Sequence, residues 1–188
     1  MPFLLLLFQL TWQDHNRMGE DAFKAGRIAE SIREFDAAIQ LEPRLAPHHW
    51  QRGISLYYAR RYEECAAQFA LHKTVNPEDV ENAVFHYLCV ARAKDVVTAR
   101  RQGLIEIHSD TRVPMMQVYA LYQGKLKPDD VLKVSKTNDS LFYAHLYIGL
   151  WYDAAGDTKN AMAHIKKAVK DYPVDHYMHD VARIHATR

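Results

Sequence analysis

The side chains of this 188-residue sequence best suited to metal or nucleophilic chemistry are eleven histidines and two cysteines. His176 and His179, flanked by Asp175 and Asp180, stand one helical turn apart and would offer two imidazole ligands from one helix face. Zinc takes at least three protein ligands, and no third is nearby in sequence, so a solvated terminal helix is the preferred reading. His15, His49 and His145 recur at equivalent places in the repeat described below. Packed helix axes lie about 8–10 Å apart, which puts such equivalents roughly 15–20 Å from one another. A shared ion needs ligands at about 2 Å, so these three read as helix-packing residues. Cys65 and Cys89 lack metal-ligand spacing. A disulfide between them requires an oxidising compartment; otherwise they pack as small buried thiols. There is no Gly-x-Ser-x-Gly, no phosphate-cradling glycine loop and no His-Glu-x-x-His. The expectation is a non-enzymatic protein without metal or cofactor. The competing reading is a metal-binding protein or enzyme that uses the C-terminal His/Asp cluster.

Composition narrows the partner class. Twenty-four Lys and Arg nearly balance twenty-three Asp and Glu, for a net charge of +1, so there is no bulk attraction to nucleic acid or anionic lipid. No stretch reaches the ~20 apolar residues of a membrane span. Residues 1–11 are the exception to this ordinary composition, because Met1 to Leu10 is almost wholly apolar. They match the core of a secretory signal but have no preceding basic residue and no small-x-small cleavage site. Periplasmic or secreted and cytoplasmic locations both remain open, as does an apolar helix packed on the first repeat.

Internal repetition sets the elements that position these residues. Gly19, Phe35 and Pro43 recur 34 residues later as Gly53, Phe69 and Pro77, and again as Gly149, Ile165 and Pro173. Small residues follow each glycine at two further offsets, as Ser31, Cys65 and Ala161, then Ala38, His72 and Ala168, of which His72 fits poorly. The period and the order match the tetratricopeptide repeat. Glycine and the small residue let two antiparallel helices approach, the large residue fills the space between them, and proline ends the second helix. The predicted fold is all-α, a tetratricopeptide-type right-handed superhelix of antiparallel helix pairs. It forms one domain over residues 12–188, with repeats at about 12–45, 46–79 and 142–175.

The middle, residues 80–141, keeps helical periodicity without the signature. Val80, Ala83, Val84, Tyr87, Leu88 and Ala91 make one apolar stripe, opened by a cap and a first-turn proline in Asn76-Pro77-Glu78-Asp79. A helix is predicted from Asp95 to Gly103, a loop from Ile105 to Val113, and short helices at Pro114–Gln123 and Pro128–Ser135. A last helix at about 174–186 would cap the exposed face of the final repeat.

The segments His49 to Tyr58, Val118 to Gly124 and Phe142 to Gly149, with Ala155-Gly156-Asp157 behind the last, resemble the NlpI-like family of bacterial tetratricopeptide proteins. The resemblance covers about three quarters of the chain. It implies an envelope adaptor that brings proteases and cell-wall hydrolases together, and a homodimer. A lipoprotein needs a cysteine just after its apolar leader; the first here is Cys65, so no lipid anchor is expected. Chaperone-binding repeats hold acidic C-terminal peptides in a clamp of Lys and Asn, where this chain has Asn16 and Glu20, which disfavours that role.

Repeat stacks bind extended peptides or helices along their first helices. The groove-facing positions are Trp50, Ile54, Tyr57 and Tyr58 in the second repeat, Asn16, Glu20, Phe23 and Lys24 in the first, and Leu146, Leu150, Asp153 and Ala154 in the last. Trp50, Tyr57 and Tyr58 are the expected anchors for a protein or peptide partner, since buried aromatics dominate binding hot spots. The same aromatics could instead form a dimer seam or pack on neighbouring repeats.

Overall fold

The first helix begins where Thr11 accepts from the Asp14 amide while Asp14 accepts from the Thr11 amide, a reciprocal cap. The computed structural model describes residues 10–188, so the expectations for the apolar start lie almost wholly outside the described residues. From that cap the chain runs through α1 (Trp12–Lys24), α2 (Ile28–Leu41), a 3-10 turn (Pro43–His48), α3 (Trp50–Tyr58) and α4 (Tyr62–His72). Then come α5 (Val80–Ala93), α6 (Val96–Thr98) with a π turn (Ala99–Gly103), α7 (Met115–Tyr122) and α8 (Pro128–Val134). It ends with α9 (Asn138–Ala154), α10 (Thr158–Lys170) and α11 (Tyr177–His185). The fold is all-α, with no strand among the described residues.

The recurring glycines do the same work three times. A Cβ on Gly19 would lie 2.7 Å from the Phe35 ring, one on Gly53 2.8 Å from Phe69, and one on Gly149 2.7 Å from Ile165. Each large residue therefore lies directly on its glycine, and α1 with α2, α3 with α4 and α9 with α10 pack as hairpins. Each hairpin turns through a left-handed residue: Gly26 at φ 75°, Arg60 at φ 61° and Gly156 at φ 82°. Arginine at the second of these is strained, because a Cβ disfavours that region. His72, the poor fit to the small position, is buried with Nδ1 2.8 Å from the Pro47 carbonyl, so the 3-10 turn absorbs its polarity.

The middle follows the predicted order with shifted boundaries. The stripe helix starts at Val80, later than the sequence suggested. Asp79 caps it through the Glu81 amide, and Pro77 lies before it. Glu78 is drawn away to accept from the His108 and Ser109 amides, which pins the 104–114 loop. Arg112, braced within the loop by Asp110 at 2.6 Å, ties it to the start of α5 by bonds to Asp79 at 2.7 Å and Glu81 at 2.6 Å. Cys65 on α4 and Cys89 on α5 are fully buried and joined in a disulfide, with Cα atoms 5.8 Å apart.

α9 runs through the centre, with Phe142, Leu146, Tyr147 and Leu150 fully enclosed. The last helix differs from the expectation in two respects. It begins at Tyr177, capped by His176, and it does more than cover α10. It crosses back to α1 and α3, with Met178, Val181, Ala182 and His185 buried.

Candidate functional site

Six of the positions expected to face an open groove, Phe23, Lys24, Trp50, Tyr57, Tyr58 and Asp153, instead seat the C-terminal segment. Tyr58 donates its hydroxyl to the Val181 carbonyl at 3.2 Å, and its oxygen lies 3.3 Å from His185 Nδ1. Phe23 stacks on Tyr177 at 5.2 Å between ring centres, and Trp50 meets the same ring edge-on at 5.2 Å. The Arg188 guanidinium sits 4.7 Å over the Tyr58 ring and 5.8 Å over Tyr57. Arg183 donates to the Lys24 carbonyl, and Arg188 to the Tyr58 carbonyl at 2.8 Å, closing both ends of the docked segment.

The expected anchors divide accordingly. Phe23, Ile54, Tyr57, Tyr58, Leu146 and Leu150 are buried, so a partner reaches them only after rearrangement. Trp50 is half-buried and lines a cavity of about 240 Å³ with His72, Asp79, Glu81, Arg112 and Tyr143. Asn16 donates to Glu20 at 2.9 Å, and Lys24 is exposed. Asp153 is bound by Arg92, and Ala154 is half-buried beside it. From the sequence all of these side chains are expected to be open to a partner; burial of Phe23, Ile54, Tyr57, Tyr58, Leu146 and Leu150 within the chain is what changes their availability.

The histidines form no common cluster, although His145 and His164 lie 2.9 Å apart. His15 pairs with Glu34 at 2.7 Å, His49 packs on Phe35, and His145 lies between His164 and Tyr172. His176 caps α11 while His179 faces the Val169 carbonyl at 3.3 Å. Among the described residues no three His, Cys, Asp or Glu side chains gather as a metal requires. Among them, too, no helix is long and apolar enough to cross a membrane.

Electrostatics at the docked helix favour a neutral imidazole. Burial pushes His185 down to about 4, with Asp153 opposing and Arg188 and Arg92 assisting. Its 3.6 Å approach to Asp153 is therefore a contact of a neutral ring at pH 7, not an ion pair. Glu81 shifts the other way. Burial and Asp79 raise its pKa although Arg112 and the Tyr147 hydroxyl both bond to it.

Sequence reasoning missed Arg92, Arg188 and α11 itself as parts of this region. The helix was recognisable as amphipathic from Tyr177, Val181, Ile184 and His185, which share one face. Nothing local says which surface that face meets. No protein-family model matches the chain.

Proposed function

We propose that this chain is a non-enzymatic interaction module of the tetratricopeptide type that binds an amphipathic helix of a partner protein along the inner face of α1 and α3. The observation that carries the reading is α11, seated on that face by Phe23, Trp50 and Tyr58. A surface that takes one short helix through aromatic stacking, a hydroxyl-to-carbonyl bond and an arginine clamp has the chemistry of a helix-binding groove. The thrice-repeated glycine contact supports the repeat class, and the resemblance to NlpI-like adaptors agrees with it.

Access to the groove depends on α11. Nine residues are too few for a stable isolated helix, so α11 is helical because it is docked. A partner helix competes with it, and the partner's apparent affinity is reduced by the fraction of chains whose groove is filled. The Cys65–Cys89 disulfide joins the second pair to α5 and favours the exported alternative, since such bonds persist in oxidising compartments.

The test uses a labelled peptide of residues 173–188 and the chain carrying Val181→Asp, which unseats its own helix by burying a carboxylate. Saturable binding that is lost on adding Tyr58→Ala supports the reading. No binding, in a variant whose α11 amides exchange freely, refutes it.

A further inference from the structure

The geometry points to a binding site for a dianionic phosphate, lined by Arg60, Arg92 and Arg188, where the α3–α4 turn, α5, α9 and the end of the docked C-terminal segment meet. A cavity of about 430 Å³ lies there, walled by these three arginines, Tyr62 and Asp153. Three guanidinium side chains face one carboxylate, and that carboxylate is already bound by Arg92. Among the lining side chains two positive charges are left over.

Part of their donor capacity is unspent. Arg92 is anchored from beneath, its Nε beside the enclosed Tyr57 hydroxyl and one terminal nitrogen on the carbonyl and carboxylate of Asp153, which leaves its other terminal nitrogen unbonded. Arg188 is held in place through one terminal nitrogen by the Tyr58 carbonyl and by the Tyr58 ring, which leaves the rest of its fork free. Among the described residues Arg60 makes no ion pair, so its guanidinium is free as well. Its backbone supplies a separate sign. At φ 61° it stands where the other two hairpin turns use glycine, in a region that a Cβ disfavours. At that turn the arginine side chain lines the cavity, which glycine could not do.

A tetrahedral dianion fits this arrangement better than a carboxylate. It matches both surplus charges and presents enough oxygens for three planar forks, the geometry in which arginine binds phosphate bidentately. Tyr62 offers an aromatic wall to an organic substituent, so inorganic phosphate and a small phosphate monoester share the same recognition chemistry. Arg188 lies just beyond α11, so the bound anion also ties that segment to α3 and α5. The site belongs to the docked form and does not depend on the partner-binding reading.

The test is a titration of the full chain with inorganic phosphate at constant ionic strength and about pH 8, where phosphate is largely dianionic. It is followed by the NMR signals of the arginine Nε–H groups. Saturable shifts at Arg60, Arg92 and Arg188 are expected. Arg60→Gly should weaken the affinity by about tenfold or more while leaving the phosphate-free melting temperature equal or higher, because glycine relieves the strained turn. Glycerol phosphate in a second arm separates the sources: tighter binding than phosphate identifies a monoester ligand, and equal binding identifies the free ion. Shifts that never saturate, an unchanged affinity in Arg60→Gly, or acetate binding as tightly as phosphate overturns the proposal.

Discussion

Shortening Val181 to alanine removes two carbons from a side chain that is fully buried between α11 and the inner face of the first two helix pairs. At about 0.8 kcal/mol per buried carbon, plus a share for the cavity left behind, the docked state loses about 2 kcal/mol. The Tyr58 bond goes to the Val181 backbone carbonyl and survives the substitution, so the loss stays in packing. Two kcal/mol is about a 30-fold shift in the equilibrium between docked and released α11. Amide hydrogen exchange reads that equilibrium directly when reclosing outpaces exchange. The amides of α11 should exchange about 30-fold faster in Val181→Ala, while those of α2 and α4, which do not pack on it, keep their wild-type rates. Tyr58→Phe, which removes one hydroxyl bond, should give a smaller step of about fivefold in the same amides. Unchanged exchange in α11 would mean that Val181 contributes nothing to docking. Equal acceleration throughout the chain would mean that α11 opens only with global unfolding, and a groove regulated by its release would be refuted.

Other perturbations follow from the same structure. Gly53→Ala places a Cβ 2.8 Å from the Phe69 ring and should destabilise by about 1–3 kcal/mol in urea unfolding, whereas an unchanged midpoint denies the close approach. Reducing the Cys65–Cys89 bond, which spans 24 residues, should lower the unfolding free energy by about 3 kcal/mol, and free thiols should be detected in denatured protein only after reduction. Burial holds His49, His145 and His185 each at about 4 against an ordinary 6.5. Their folded pKa values are depressed, so the unfolded chain binds protons first. That stability is intact above pH 6.5 and is lost progressively as pH falls from 6.5 toward 4. Glu81, raised by burial, opposes the trend. A denaturation midpoint that stays flat from pH 7 to pH 5 contradicts three neutral buried imidazoles.

Much of this fold is legible in the sequence because its signals are local. Gly19 with Phe35, Gly53 with Phe69 and Gly149 with Ile165 are each 16 residues apart, the distance at which a helix hairpin returns on itself, and all three pairs touch. The inner-face positions Phe23, Tyr57, Tyr58 and Leu150 follow from the same register, and all are buried. What the sequence does not reveal is set by long-range closure. Tyr58 and Val181 are 123 residues apart, and whether they meet depends on small angles accumulated over every intervening pair. Arg60 stands in the basic Arg60-Arg61 pair, which with its acidic neighbours reads as a solvated helix face rather than a phosphate-binding patch; Arg92 and Arg188 join it as a cluster only once α11 has docked. The shifted start of α5 has a local cause that composition hides, since Asp79 outcompetes Asn76 as the cap by bonding the Glu81 amide.

The most direct test of the central claim is capture from the native source with three baits: the wild-type chain, Val181→Asp, and Val181→Asp combined with Tyr58→Ala. A peptide of residues 173–188 serves as the eluent, and mass spectrometry identifies what it releases. The account predicts a protein held by Val181→Asp, held weakly by wild type, absent from the double variant and released by the peptide. The same proteins on all three baits, unmoved by the peptide, would contradict a helix-binding groove under α11.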